Sequence, residues 1–243
     1  MRIIKVNAIN STNALARDLY PGKSAFAPLC VSAHLQTNGK GQRGAGWVSN
    51  AGENLTFSVL YPKTGVTAEK QFLLSASVAL AILDTLEDYQ VPKLRVKWPN
   101  DIMAANVKIC GILIENILKK DAIAASIIGI GLNVNQEFFP NLPQAGSLRQ
   151  VTGKIYEPDR LLEKLLDALS SRLEKISHRT GREILKEYES KLFRKEVAST
   201  FQLPNGSRLT GIIRGVTSEG LLKVELENEI LKVFDLKEVK LLF

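Results

Sequence analysis

Between residues 94 and 134 the chain runs through four β-type segments, "LRVKW", "DIMAA", "VKICGILIENIL" and "DAIAASIIGIGLNV", with one or two residues between neighbours. Parallel strands need a crossover of a dozen or more residues, so these gaps favour antiparallel pairing. Ahead of them, "RIIKVNAI", "APLCVSAHL" and "NLTFSVLYP" read as strands, and "AEKQFLLSASVALAILDTLEDY" as a long helix whose alanines and leucines recur at core-packing spacing. Ser11 or Thr12 is placed to cap a short helix, "NALARDLY", ended by Pro21-Gly22. A further helical pattern covers about 157–193. The expected class is α+β: a mixed, largely antiparallel sheet with packed helices.

Beyond Lys195 the pattern changes. "VASTFQL", "RLTGIIRGVT", "GLLKVELE" and "EILKVFDL" are short strands separated by Pro204-Asn205-Gly206, Glu219-Gly220 and Glu227-Asn228, turn signals at the spacing of a small barrel. The chain is expected to divide into a larger domain over 1–195 and a small C-terminal β-barrel over 196–243.

Thirty-two basic against 25 acidic residues give a formal charge of +7. The bases are dispersed among acids, with no long Lys/Arg run and no RNA-binding aromatic signature, so a solvated surface explains most of them. No window approaches the roughly 18 apolar residues of a membrane helix, and the first residues hold no apolar stretch long enough for a signal peptide. Cys30 and Cys110 sit inside apolar runs, as small buried hydrophobes do. A reducing, cytoplasmic setting is the expectation.

"QTNGKGQRGAGW", residues 36–47, satisfies the G-x-G-x-x-G spacing of a dinucleotide-binding turn. That fingerprint needs a helix after the glycines and an acid about 20 residues further on. Here Gly44, Gly46 and Gly52 interrupt any helix and a strand follows, so the nicotinamide reading fails. What remains is a long loop whose backbone can approach a ligand, with Lys40 and Arg43 to meet negative charge.

Three further stretches hold polar residues. "NSTN" places Asn13 past the helix cap, facing either structure or a ligand. In "KWPNDIMAANVKICGIL", Asn100 and Asp101 form a turn, and Lys97 and Lys108 stand at the two ends of a hairpin. Lys108 enters an apolar strand and needs an anionic partner, either Glu115 or a substrate. In "GIGLNVNQ", Gly129 and Gly131 let backbone approach a ligand, and Asn133 offers a hydrogen bond. With two histidines and two strand-embedded cysteines there is no zinc spacing. No G-x-S-x-G elbow or Walker loop occurs.

In this order, "STN", "QTNGKGQRGAGW", "KWPND", "KICGILIE", "GIGLNVN" and "FP…AGSLRQVTG" resemble biotin protein ligases, the biotin-[acetyl-CoA-carboxylase] synthetases, over residues 11 to about 153. The resemblance implies a class II synthetase-like catalytic domain followed by an SH3-like barrel. It implies formation of biotinyl-5′-AMP from biotin and ATP with Mg²⁺, whose ligands stay unknown, and transfer of biotin to a lysine of a biotin carboxyl carrier domain. Ser11, Thr12, Asn13 and Gln36 would contact the biotin ring, with Gly39, Lys40 and Gly111 acting through backbone. Arg43 and Lys108 would neutralise the biotin carboxylate and α-phosphate, Trp47 would pack at the adenylate and Asn133 would bind the nucleotide. Asp101 would orient the incoming lysine or the metal.

The family's loop is usually G-R-G-R-R-G; Lys40 and Gln42 replace its first two arginines here, which implies weaker retention of the adenylate. Repressor-type members carry an N-terminal helix-turn-helix; this chain begins almost at "STN", so no DNA binding and no membrane partner are expected, while a homodimer through sheet edges is allowed. The rivals are a lipoate or octanoate ligase of the same architecture, and a non-catalytic basic protein binding nucleic acid through its C-terminal barrel.

Overall fold

The computed structural model describes residues 1–243 apart from Ser24, Lys63, Thr64, Lys120 and Asp121, and of Arg43 the backbone alone. The chain opens with β1 (Arg2–Ile9), α1 (Thr12–Asp18) and β2 (Leu29–Gln36). Ser11 is the cap of α1: its backbone is extended and its Oγ accepts from the Ala14 N–H at 3.5 Å. In the glycine-rich loop, β3 (Gly39–Lys40) and β4 (Gly46–Trp47) pair around a 3-10 turn at Gln42–Gly44. The next element is a strand, β5 (Leu55–Pro62), as the rejection of a dinucleotide turn requires.

After β5 come α2 (Phe72–Asp88), β6 (Leu94–Lys97), β7 (Asp101–Ala104), β8 (Val107–Lys119) and β9 (Ala122–Leu132), then α3 (Leu148–Thr152), α4 (Pro158–Glu174) and α5 (Gly181–Ser190). The expected helical stretch thus divides in two. The second half, α5, begins at its own capping box, in which Thr180 and Glu183 bond each other's backbone N–H.

The seven strands pair in the order β1-β2-β5-β9-β8-β7-β6. Only β1 with β2 is parallel, so the sheet is mixed and largely antiparallel. On one face α2, α4 and α5 cover a large core that takes Phe57 and Val59 from β5 and Ile128 and Ile130 from β9. On the other, α1 covers a small cluster of Ala16, Val31, Leu60, Ala125 and Ile127. Alternation along a strand therefore turns Ser58, Gly129 and Gly131 to the α1 face.

Register then draws distant motifs into one row across the sheet. Partners run Val6, Ala33, Thr56, Gly131, Gly111, Asp101 and Lys97, one residue from each strand.

The C-terminal strands are β10 (Ala198–Gln202), β11 (Arg208–Val216), β12 (Leu222–Glu225), β13 (Leu231–Phe234) and β14 (Lys240–Leu242), in the order β13-β12-β11-β10-β14. The expected barrel is not closed: the hydrogen-bonded sheet is open, with β13 and β14 as its two edges. The sequence reading also lacked β14, which pairs with β10. Phe201, Ile213, Val224 and Phe234 join the same buried cluster as Phe72 and Leu192, so the two sheets share a core. Among the described residues no helix is long and apolar enough to cross a membrane. Both cysteines are free and buried. Burial pushes the Cys30 thiol up to about 12 and the Cys110 thiol up as well, which keeps both protonated and inert.

Candidate active site

A cavity of about 420 Å³ opens on the α1 face over the central strands. Ser11, Thr12, Asn13, Gln36, Lys40, Trp47, Asp101, Lys108 and Gly111, all singled out in the sequence, line it.

One wall is neutral. Gln36 Oε1 accepts from the Thr12 N–H at 2.8 Å and from Thr12 Oγ1 at 3.0 Å, which leaves the Gln36 amide NH₂ without a partner among the described residues. Ser58 Oγ lies 2.7 Å from Thr12 Oγ1 and 2.5 Å from Asn13 Oδ1, one proton facing two acceptors. Asn13 Nδ2 donates to Glu115 Oε2 at 2.7 Å, and the other Glu115 oxygen accepts from Arg17 at 3.2 Å. The chain of bonds is buried at Thr12, Asn13 and Ser58. Its side chains are held in place before any ligand arrives. Gly129 makes this packing possible, since a Cβ there would overlap Asn13.

The opposite wall is cationic. Lys108 Nζ stands 2.6 Å from Asp101 Oδ1 and Lys97 Nζ 3.6 Å from Asp101 Oδ2. Asp101, which the sequence reading did not name for this role, is thus an anionic partner of Lys108 within the chain, while Glu115 bonds Asn13 and Arg17 on the α1 side instead. Asp101 reaches Lys108 because the β7 and β8 registers pair it with Gly111, beside a β-bulge between Ile102 and Met103. Lys40 and Lys240 complete the rim. Burial first, then Lys108 and Lys240, hold the Lys97 ammonium below the usual lysine range against the opposing pull of Asp101. Among the described residues, four ammoniums and one carboxylate line the cavity.

Trp47 lies between the walls. A Cβ on Gly131 would overlap its indole, and the Lys108 ammonium is 5.8 Å from its ring centroid. Trp47 Nε1 is buried with no hydrogen-bond partner among the described residues, a donor left for an acceptor outside the chain.

A model of the biotin/lipoate A/B protein ligase family matches residues 6–133, more than half of the 243. The chain belongs to this family. The biotin–[acetyl-CoA-carboxylase] ligase of Paracoccus denitrificans is 35% identical over 173 residues, 66% of this chain and 68% of that relative. The ligase of the same name from Mycobacterium tuberculosis is 30% identical over 222 residues, 89% and 80% of the two chains. The solved structure of biotin protein ligase from Aquifex aeolicus in complex with biotin and ATP matches with a TM-score of 0.80 at 26% identity, covering 99% of this chain and 98% of that one.

The remaining residues expected from the resemblance to biotin protein ligases are Gly39, Asn133 and Arg43. Gly39 is buried behind the cavity, where a Cβ would strike the Trp47 carbonyl. Asn133 does not line it: it is buried, its Nδ2 donates to the Gly146 carbonyl at 2.8 Å, and its Oδ1 has no partner among the described residues. The Gly146 N–H in turn bonds the Lys108 carbonyl at 2.9 Å, so Asn133 braces the backbone that carries Lys108. The side chain of Arg43 lies outside the described residues.

Two participants escaped the sequence reading. Ser58 sits in an apolar strand, where alternation alone would flag a hydroxyl among valines and leucines. Lys240 comes from β14, more than a hundred residues from the other lysines, and no local signal marks it.

Proposed function

We propose that the protein is an ATP-dependent biotin protein ligase. It joins the biotin carboxylate to the α-phosphate of ATP, forming biotinyl-5′-AMP and releasing pyrophosphate. It then passes the biotinyl group to the amine of a lysine on a biotin carboxyl carrier domain, with AMP as leaving group. The observation that carries this reading is the meeting, in one cavity, of a neutral prebonded wall with a wall of four ammoniums around one carboxylate.

The free amide NH₂ of Gln36 and the Asn13–Thr12–Ser58 chain suit a small polar ring such as the biotin ureido group. Two anions must meet for the first step. Lys108 and Lys97 reduce their repulsion and stabilise charge building at the α-phosphate. The unpartnered Trp47 Nε1 suits an acceptor on the nucleotide. Trp47 and the glycine-rich loop around it would shield the acyl adenylate from water. Asp101 is placed to orient the incoming lysine.

Mg²⁺ belongs to this reading as part of the ATP substrate. No three His, Cys, Asp or Glu gather among the described residues, and Asp101, the cavity's carboxylate, is already held by two ammoniums. Such an ion is held chiefly by phosphate and water. A cytoplasmic setting and a C-terminal module over 196–243 that supplies Lys240 complete the proposal.

The test is pyrophosphate release from ATP on adding biotin, with lipoate and no acid as controls, for wild type and Lys108→Ala. Release that needs biotin and collapses in the variant is expected. Release with lipoate but not biotin, or none from folded protein, overturns the reading.

A further inference from the structure

A second cavity, of about 770 Å³, lies where α5 and the segment before α2 meet the C-terminal sheet, and it shares no lining residue with the first. Its volume is within the roughly 300–1,000 Å³ of ligand sites. Its floor is apolar, with Leu73, Ile176, Leu185 and Val216. Its rim carries Lys70, Arg179, Arg182, Lys186 and Lys223 against one carboxylate, Glu189.

Arg179 is neutralised by Glu187 at 2.7 Å, and one Glu189 oxygen is occupied by the Val216 N–H at 2.8 Å. Glu219, on the turn beyond Ser218, feels the Lys223 charge. Lys70, Arg182 and Lys186 have no ion pair among the described residues. This excess is not a general consequence of a basic chain. The cavity of about 850 Å³ beside α4 sets Lys154, Arg160 and Lys164 against Asp84, Asp88, Glu157 and Asp167. The fold thus gathers cations from 70, 182, 186 and 223 around one opening, where their repulsion is relieved by a bound anion.

We infer that this second cavity is a binding site for a small organic polyphosphate, with its apolar body on the Leu73–Ile176–Leu185–Val216 floor and its phosphates on the Lys70, Arg182, Lys186 and Lys223 rim. Glu189 is left to accept a hydrogen bond from the ligand's body. The site stands apart from the ligase reading, and neither depends on the other.

The experiment is calorimetric titration of the full chain at physiological ionic strength with ADP and with tripolyphosphate, in wild type, Lys108→Ala and the double variant Arg182→Glu/Lys186→Glu. Wild type and Lys108→Ala should share one binding event that weakens at least tenfold in the double variant, with ADP bound more tightly than tripolyphosphate because it covers the floor. If the double variant does not melt cooperatively, Lys70→Ala and Lys223→Ala take its place, each expected to weaken the event several-fold. Binding that is the same in all rim variants, or that disappears only in Lys108→Ala, overturns the inference. So does the absence of binding to wild type.

Discussion

The two walls of the first cavity are built on opposite principles. On the α1 side, the neutral groups of Thr12, Ser58 and Asn13 are buried and already bonded to one another, with half-buried Gln36 at one end of the chain and the Glu115 carboxylate at the other. On the β6–β8 side, Lys97 and Lys108 share a single carboxylate, and Lys40 and Lys240 stand at the exposed rim. A neutral ligand portion gains most from fixed geometry, because unsatisfied buried dipoles are costly. An anionic portion gains most from surplus charge that the protein itself does not cancel.

If the contrast is right, the largest loss comes from the charged wall. Lys108→Ala should lower the rate constant of pyrophosphate release by about 10²–10³, the usual cost of removing one donor aimed at developing charge. A drop of less than tenfold would break the comparison. On the neutral wall, Gly129→Ala drives a methyl into Asn13. Overpacking of this kind costs about 1–3 kcal/mol, which should appear as a ten- to hundred-fold rise in KM for biotin with KM for ATP nearly unchanged; equal rises in both would show that the walls are not separate.

A pH profile sharpens the charged side. The Lys97 ammonium is held below the lysine range, so raising pH removes this cation before an ordinary lysine would lose its proton. ATP-dependent activity should therefore fall on the alkaline side early, and Lys97→Arg, which keeps its charge, should move that limb to higher pH. The smallest effect is expected at the exposed rim, where charge is screened. Lys240→Ala should raise KM for ATP about two- to five-fold, with a difference that shrinks as salt is added.

Much of the fold was legible because its signals are local. One- or two-residue gaps between 94 and 134 favour antiparallel strands, and Ser11 marks a helix start by side-chain chemistry, whereas the Thr180–Glu183 box that divides the expected 157–193 helix went unread. The barrel expectation failed because turn signals tell where strands reverse, not whether the first and last strands meet. Lys108 was recognised as needing a partner, yet Asp101 was read as a turn residue, or as one that orients the incoming lysine or the metal, and not as that partner. The bond joining them depends on the β7–β8 register.

The amino-acid sequence by itself determined the order of the motifs, their residue types and their placement at strand ends and loops, since these follow from periodicity, turn chemistry and spacing. Only the tertiary structure decided that Asp101, Gly111, Gly131 and Thr56 form one row, that Ser58 closes the neutral wall and that Lys240 reaches the charged one. The reason is physical: strand register and sheet docking are set by the packing of a core shared across the whole chain, and a one-residue slip would turn every one of these side chains to the other face.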